Sequence, residues 1–65
     1  MEVTVNGTQQ VVPDECSITA LVALLEIKGR IAVEIDGELI PKSEHAERRL
    51  NAGERVEIVH AIGGG

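Results

Sequence analysis

The chain has no Phe, Tyr or Trp among its 65 residues. Without a ring to stack on a base, single-stranded nucleic-acid binding loses its usual platform. Basic residues are also few: six Lys and Arg stand against eleven Asp and Glu, a formal charge of -5. Such a surface repels nucleic acid and anionic lipid and steers toward basic protein partners. One cysteine, Cys16, cannot close an intramolecular disulfide. Small secreted domains normally need such staples, so a reducing, cytoplasmic setting is expected. No basic start leads into a long apolar run, so no signal peptide is expected. No segment approaches the roughly 20 apolar residues of a membrane span. What remains is 43% apolar and 26% charged, the composition of a folded globule. At this length the chain forms one domain and buries only about 60% of its unfolded surface. A two-lobed enzyme with an interdomain cleft is excluded.

Glu2-Val3-Thr4-Val5 alternates polar and apolar, as a half-buried strand does. Asn6-Gly7 supplies a hairpin turn, and Thr8 to Val12 returns as a second strand ended by Pro13. Val3, Val5, Thr8, Gln10 and Val12 then share one face. Ser17 is a helix N-cap before Ile18, Leu21, Val22 and Leu25, the stripe of a core-facing helix. The helix is predicted to run from about Ser17 to Lys28, with Gly29 in the left-handed closing position and Leu24 and Ile27 off the stripe. Ile31, Val33 and Ile35 mark a third strand, Asp36-Gly37 a second turn, and Glu38-Leu39-Ile40 a short fourth strand. Lys42 to Arg49 reads as a loop with a helical turn, anchored by Leu50. Arg55 to Ile62 is the last strand, with Val56 and Ile58 on one face and Glu57, Val59 and Ala61 on the other.

Strands with one helix across one sheet face give an α+β fold. With the first and last strands parallel at the middle of a mixed sheet of four to five strands, this is a β-grasp arrangement. Residues 1-62 form the domain and 63-65 a glycine tail.

That tail is the sharpest feature. Two residues drawn at average frequency are both Gly in about 1 case in 200, and here three, Gly63-Gly64-Gly65, follow a patterned strand. Glycines add no bulk and let the backbone approach another surface closely. A slender segment ending in a bare carboxylate can enter a narrow channel in a partner's active site. Gly65 is therefore the candidate working residue, and Gly63 and Gly64 give access to it. Val59, Ala61 and Ile62 are a candidate docking patch, extended by Ala32 and Leu24.

The other chemistry-bearing residues read as structural. Cys16, beside an apolar helix, is a small core or boundary residue. His45 and His60 are far apart, lack the converging ligands of a metal site and read as surface histidines. Ser17 is a cap with no histidine near it. The acidic set, Glu54 included, reads as a solvated surface that sets on-rate and specificity. No nucleophile–base pair or phosphate loop points to an independent enzyme, and no bound metal or cofactor is expected.

Taken together, these pieces resemble the ThiS family of sulfur carriers, ubiquitin-like β-grasp proteins of thiamin biosynthesis. The resemblance rests on Val3-Thr4-Val5-Asn6-Gly7, Ser17-Ile18 to Leu25, Ala32 to Gly37, Ile40-Pro41-Lys42, Leu50 to Glu54, Val56 to Val59 and Ile62 to Gly65. It covers essentially the whole chain. His45 stands where many members carry an aromatic, Lys42 where Arg is common, and Glu54 where Asp is common. The resemblance implies adenylation of the Gly65 carboxylate by an ATP-dependent, ThiF-like enzyme. A persulfide donor, such as a cysteine desulfurase, would then convert it to a thiocarboxylate, and a ThiG-like thiazole synthase would accept the sulfur. The chain would be a co-substrate, with ATP used by the activating enzyme. The rivals are the small subunit of molybdopterin synthase, whose members tend to be longer, and a ubiquitin-like modifier or binding module.

Overall fold

The structure is a computed structural model that describes residues 1–61. Five strands and one helix follow in the order β1 (Glu2–Val5), β2 (Thr8–Val11), α1 (Ile18–Leu24), β3 (Ile31–Ile35), β4 (Glu38–Ile40) and β5 (Arg55–His60), with a 3-10 turn at Lys42–Glu44 before β5. The sheet order is β2-β1-β5-β3-β4. β1 and β5 are parallel, and the other neighbours are antiparallel. The β-grasp arrangement expected from the sequence is present, with β5 in the centre.

Both hairpins turn where expected. Asn6 and Gly7 have φ of 49 and 84, and Asp36 and Gly37 have 49 and 86. Positive φ at both central positions is the type I′ turn, whose twist matches that of the flanking strands. The ladder sets Val3 opposite Gln10 and Val5 opposite Thr8. Val3, Val5 and Val12 are buried and Gln10 half-buried, but Thr8 is exposed, so the shared face ends before the turn.

The helix starts as predicted and stops earlier. Ser17 is extended, and its Oγ accepts the Ala20 N–H at 3.0 Å, satisfying one of the unpaired donors of the first turn. Ile18 and Leu21 are wholly buried, worth about 1.5–3 kcal/mol each. The helix does not reach Lys28. Glu26 takes the left-handed conformation at φ 57, its N–H bonding Ala23 O, while the Ile27 N–H reaches back to Val22 O, both at 3.1 Å. This pair of bonds is a Schellman closure with Glu, not Gly29, in the left-handed position. It turns Ile27 back against the core, where it is partly buried.

The core joins the inner faces of β1, β3 and β5 (Val3, Val5, Val33, Ile35, Val56 and Ile58) to Ile18 and Leu21 of α1. The segment after the 3-10 turn is stitched beneath the helix start: Ile18 N–H bonds Arg48 O and Leu50 N–H bonds Cys16 O, at 3.2 and 2.8 Å. Leu50 is thereby buried, and so is Cys16, the small core residue expected. Among the described residues no helix is long and apolar enough to cross a membrane.

Candidate functional site

The site candidate is the place where β5 leaves the sheet. Its parallel ladder with β1 ends at Val5 opposite Val56. Asn6 prolongs the join with its side chain: Oδ1 accepts the Ile58 N–H at 2.8 Å and Nδ2 donates to Ile58 O at 3.1 Å. A single turn residue thus imitates one more rung of a strand. On the other edge the ladder with β3 runs to Ile31 opposite His60, and Ala61 N–H then bonds Arg30 O at 2.8 Å. The His60 ring lies against the same loop, with Nε2 2.9 Å from Lys28 O. His60 is exposed, as expected, but its ring is engaged at the strand's end. The chain is therefore held on both sides up to Ile58 and by the α1–β3 loop up to Ala61.

One sheet face is covered by α1, and among the described residues nothing covers the other. The alternation that buries Val56 and Ile58 places Glu57 and Val59 outward, and Val59 is 57% exposed. Ala32 lies opposite Val59, Glu34 opposite Glu57, and Leu39 opposite Glu34. These residues make an open patch in which two facing carboxylates are flanked by exposed Val59 and Leu39. Carboxylates directly opposite each other repel, so this pair costs stability and lends the face a concentrated negative charge. A shallow depression of about 250 Å³ lined by Ala32, Glu34, Glu57 and Val59 lies there.

Of the candidate docking residues, Val59 is on this face, Ala61 is exposed at its end, and Ala32 is half-buried beside Val59. Leu24 does not extend the patch: it is exposed on α1, which packs against the opposite side of the sheet. Leu39, 62% exposed, is the apolar member that the sequence reading missed. Ile62, Gly63, Gly64 and Gly65 lie outside the described residues.

His45 is not a surface residue. It is 8% exposed, and its Nε2 sits 3.0 Å from Ile40 O. The short 3-10 turn folds the ring back onto the carbonyl that precedes Pro41, and that partner makes burial tolerable. Glu54 likewise leaves the solvated acidic set. Its carboxylate receives Arg48 at 2.7 Å and the Asn51 N–H at 2.7 Å. Burial pushes the carboxyl up, but the Arg48 hydrogen bond, the Asn51 N–H and the Arg48 charge together outweigh it and hold the carboxyl below its unperturbed value of 4.5. Among the described residues no group of three or more His, Cys, Asp or Glu could hold a metal ion.

The crystal structure of the thiamine biosynthesis protein ThiS from Geobacter metallireducens superposes with a TM-score of 0.88, at 28% identity, covering 100% of both chains. The solution structure of a thiamine biosynthesis protein from the same organism gives 0.76, also at 28% identity, over 100% of this chain and 88% of the other. A curated relative, thiazole synthase of Paramagnetospirillum magneticum, is 36% identical over 66 residues. That match takes in 100% of this chain, which spans only 20% of the relative's length. The ThiS family profile matches residues 1–65. With the whole chain matched, and the fold shared with ThiS structures, the chain belongs to the ThiS family.

Proposed function

We propose that this chain is a sulfur carrier for thiazole formation in thiamin biosynthesis, acting in the cytoplasm as a co-substrate and not as a catalyst. The observation that carries the reading is the junction of a rigid strand with a bare tail. β5 is the middle strand of five, clipped by Asn6 and held at Ala61. The sequence then continues Ile62-Gly63-Gly64-Gly65. The body presents a patterned surface, and the glycines let the end enter a channel too narrow for side chains.

The working group is the Gly65 carboxylate. A carboxylate is a poor electrophile, so it must be activated. One carboxylate oxygen attacks the α-phosphorus of ATP on a ThiF-like enzyme, and the bond to the departing pyrophosphate breaks. The acyl carbon of the resulting adenylate then accepts the terminal sulfur of a donor persulfide, such as that of a cysteine desulfurase, and AMP leaves. A second thiol cleaves the acyl disulfide and frees the thiocarboxylate. A ThiG-like thiazole synthase takes the sulfur, and hydrolysis returns the carboxylate. The relative from Paramagnetospirillum supports that acceptor, because there a stretch like this whole chain lies within a protein named thiazole synthase. ATP belongs to the activating enzyme, and the carrier needs no cofactor of its own.

Val59 and Ala61 dock the activating enzyme on the open sheet face, where Glu34 and Glu57 favour a basic partner, and Ile62, the next residue in sequence, joins them in contacting it. The test is pyrophosphate exchange driven by the activating enzyme. The full chain supports exchange, and the chain without Gly65 does not; equal exchange in both would refute the reading. A ubiquitin-like modifier would instead become attached to another protein and show a protein-sized gain in mass.

A further inference from the structure

The pairing at the end of β5 fixes which backbone atoms the following residues would meet. β3 and β5 run antiparallel in register from Ile35 opposite Val56 to Ile31 opposite His60. Each step back along β3 is one step forward along β5. The next pair is Arg30 with Ala61, and the Ala61 N–H does bond Arg30 O, at 2.8 Å. Continued further, the same register sets Gly29 opposite residue 62 and Lys28 opposite residue 63. Hydrogen-bonded pairs alternate along an antiparallel ladder. After Ala61 with Arg30, the next N–H in line is therefore that of Gly63, and its acceptor is Lys28 O.

That acceptor already has a partner. Nε2 of His60 lies 2.9 Å from Lys28 O. A carbonyl oxygen only accepts, so Nε2 carries the proton, in the neutral ring or in the imidazolium. The loop departs from extended geometry at Gly29, with φ 95, yet brings the Lys28 carbonyl back to the end of the strand. The His60 ring also lies against Gly29, where an added Cβ would be 3.7 Å from Cδ2. The ring thus sits beside both positions that the register assigns to residues 62 and 63. By alternation His60 follows the inward-facing Val56 and Ile58, but unlike them it is exposed, so core burial does not account for its placement.

We propose that His60 is a positioning residue: its ring takes the carbonyl that would pair with Gly63, ends the ladder at Ala61 and keeps the glycines available to the activating enzyme. The proposal rests on the carrier reading above. What it governs is the reach of the Gly65 carboxylate. With the ladder ended at Ala61, four residues extend beyond it and span at most about 14 Å. Pairing through Gly63 would leave only Gly64 and Gly65, about 7 Å, beyond the sheet.

The test combines solvent-exchange NMR of the Gly63 amide in the full chain with pyrophosphate exchange on a ThiF-like activating enzyme. His60 is exposed, so its replacement opens no core. His60→Ala releases Lys28 O to Gly63. One hydrogen bond of ordinary net strength then slows Gly63 amide exchange about fivefold and lowers kcat/KM for the carrier about fivefold, the equivalent of about 1 kcal/mol. His60→Gln keeps a side-chain N–H donor and restores both values. A purely structural loss would loosen the strand's end and could not slow exchange at Gly63. Unchanged Gly63 exchange in His60→Ala overturns the proposal. So does slowed Gly63 exchange with unaltered kcat/KM, or a His60→Gln chain that behaves as His60→Ala does. The NMR measurement needs no enzyme. If the unaltered chain supports no pyrophosphate exchange, the carrier reading fails, and the Gly63 amide separately decides whether His60 ends the ladder.

Discussion

Asn6 is where a single side chain has the most measurable consequence. It occupies a left-handed turn position at φ 49, and its amide makes two hydrogen bonds with the backbone of Ile58, at 2.8 and 3.1 Å. Each such bond contributes about 0.5–1.5 kcal/mol net. Asn6→Gly keeps the backbone conformation and removes both bonds, so stability falls by about 1–3 kcal/mol. Asn6→Ala loses the same bonds and also places a Cβ in the left-handed region, which adds about 1 kcal/mol or more. A domain of this size holds on the order of 3–10 kcal/mol in total, so either change is a large fraction of it. Urea unfolding followed by far-ultraviolet circular dichroism reads the loss as a lower midpoint at constant slope. Hydrogen exchange adds the location: the Ile58 amide loses protection in Asn6→Gly, while Leu21, whose N–H bonds Ser17 O inside the helix, follows global stability only. An Asn6→Gly protein with the original midpoint and a protected Ile58 amide would refute the clip.

Ser17→Ala removes the acceptor for Ala20 N–H and lowers stability by about 1 kcal/mol in the same unfolding assay. Glu54 has its folded-state pKa below the unperturbed 4.5, so the folded form binds fewer protons there than the unfolded one. Its stabilisation is complete above 4.5 and is lost as pH falls through the lowered value; Glu54→Gln therefore flattens the stability profile in that acid range and leaves its neutral-pH slope alone. Val59→Asp, at an exposed outward position among Glu34 and Glu57, leaves the fold intact by circular dichroism and slows adenylation sharply, and unchanged kinetics would remove Val59 from the docking face.

Much of this architecture is legible because its signals are local. Asn6-Gly7 and Asp36-Gly37 require positive φ, and the turns form there. Ser17 precedes the apolar stripe, and it caps the helix. The alternation in Arg55 to His60 assigns Val59 outward, where it lies. What the sequence pattern does not show depends on where the backbone folds back on itself and which groups it brings together, near or distant in sequence. The helix end is closed by a left-handed Glu26, a conformation that composition assigns to glycine, because Ile27 turns back to the core. His45 is buried because the 3-10 turn brings its ring to Ile40 O. Glu54 looks like one more surface acid until Arg48 and the Asn51 amide converge on it. The clip from Asn6 to Ile58 spans 52 residues, and nothing in the turn sequence announces it.

The central claim is that the Gly65 carboxylate carries sulfur. It is tested most directly by the intact mass of the chain after incubation with a ThiF-like enzyme, ATP and a sulfide source. The account predicts a gain equal to exchanging one oxygen for one sulfur, absent when Gly65 is deleted. An unchanged mass in the folded chain, with the same enzyme active on another carrier, would contradict it.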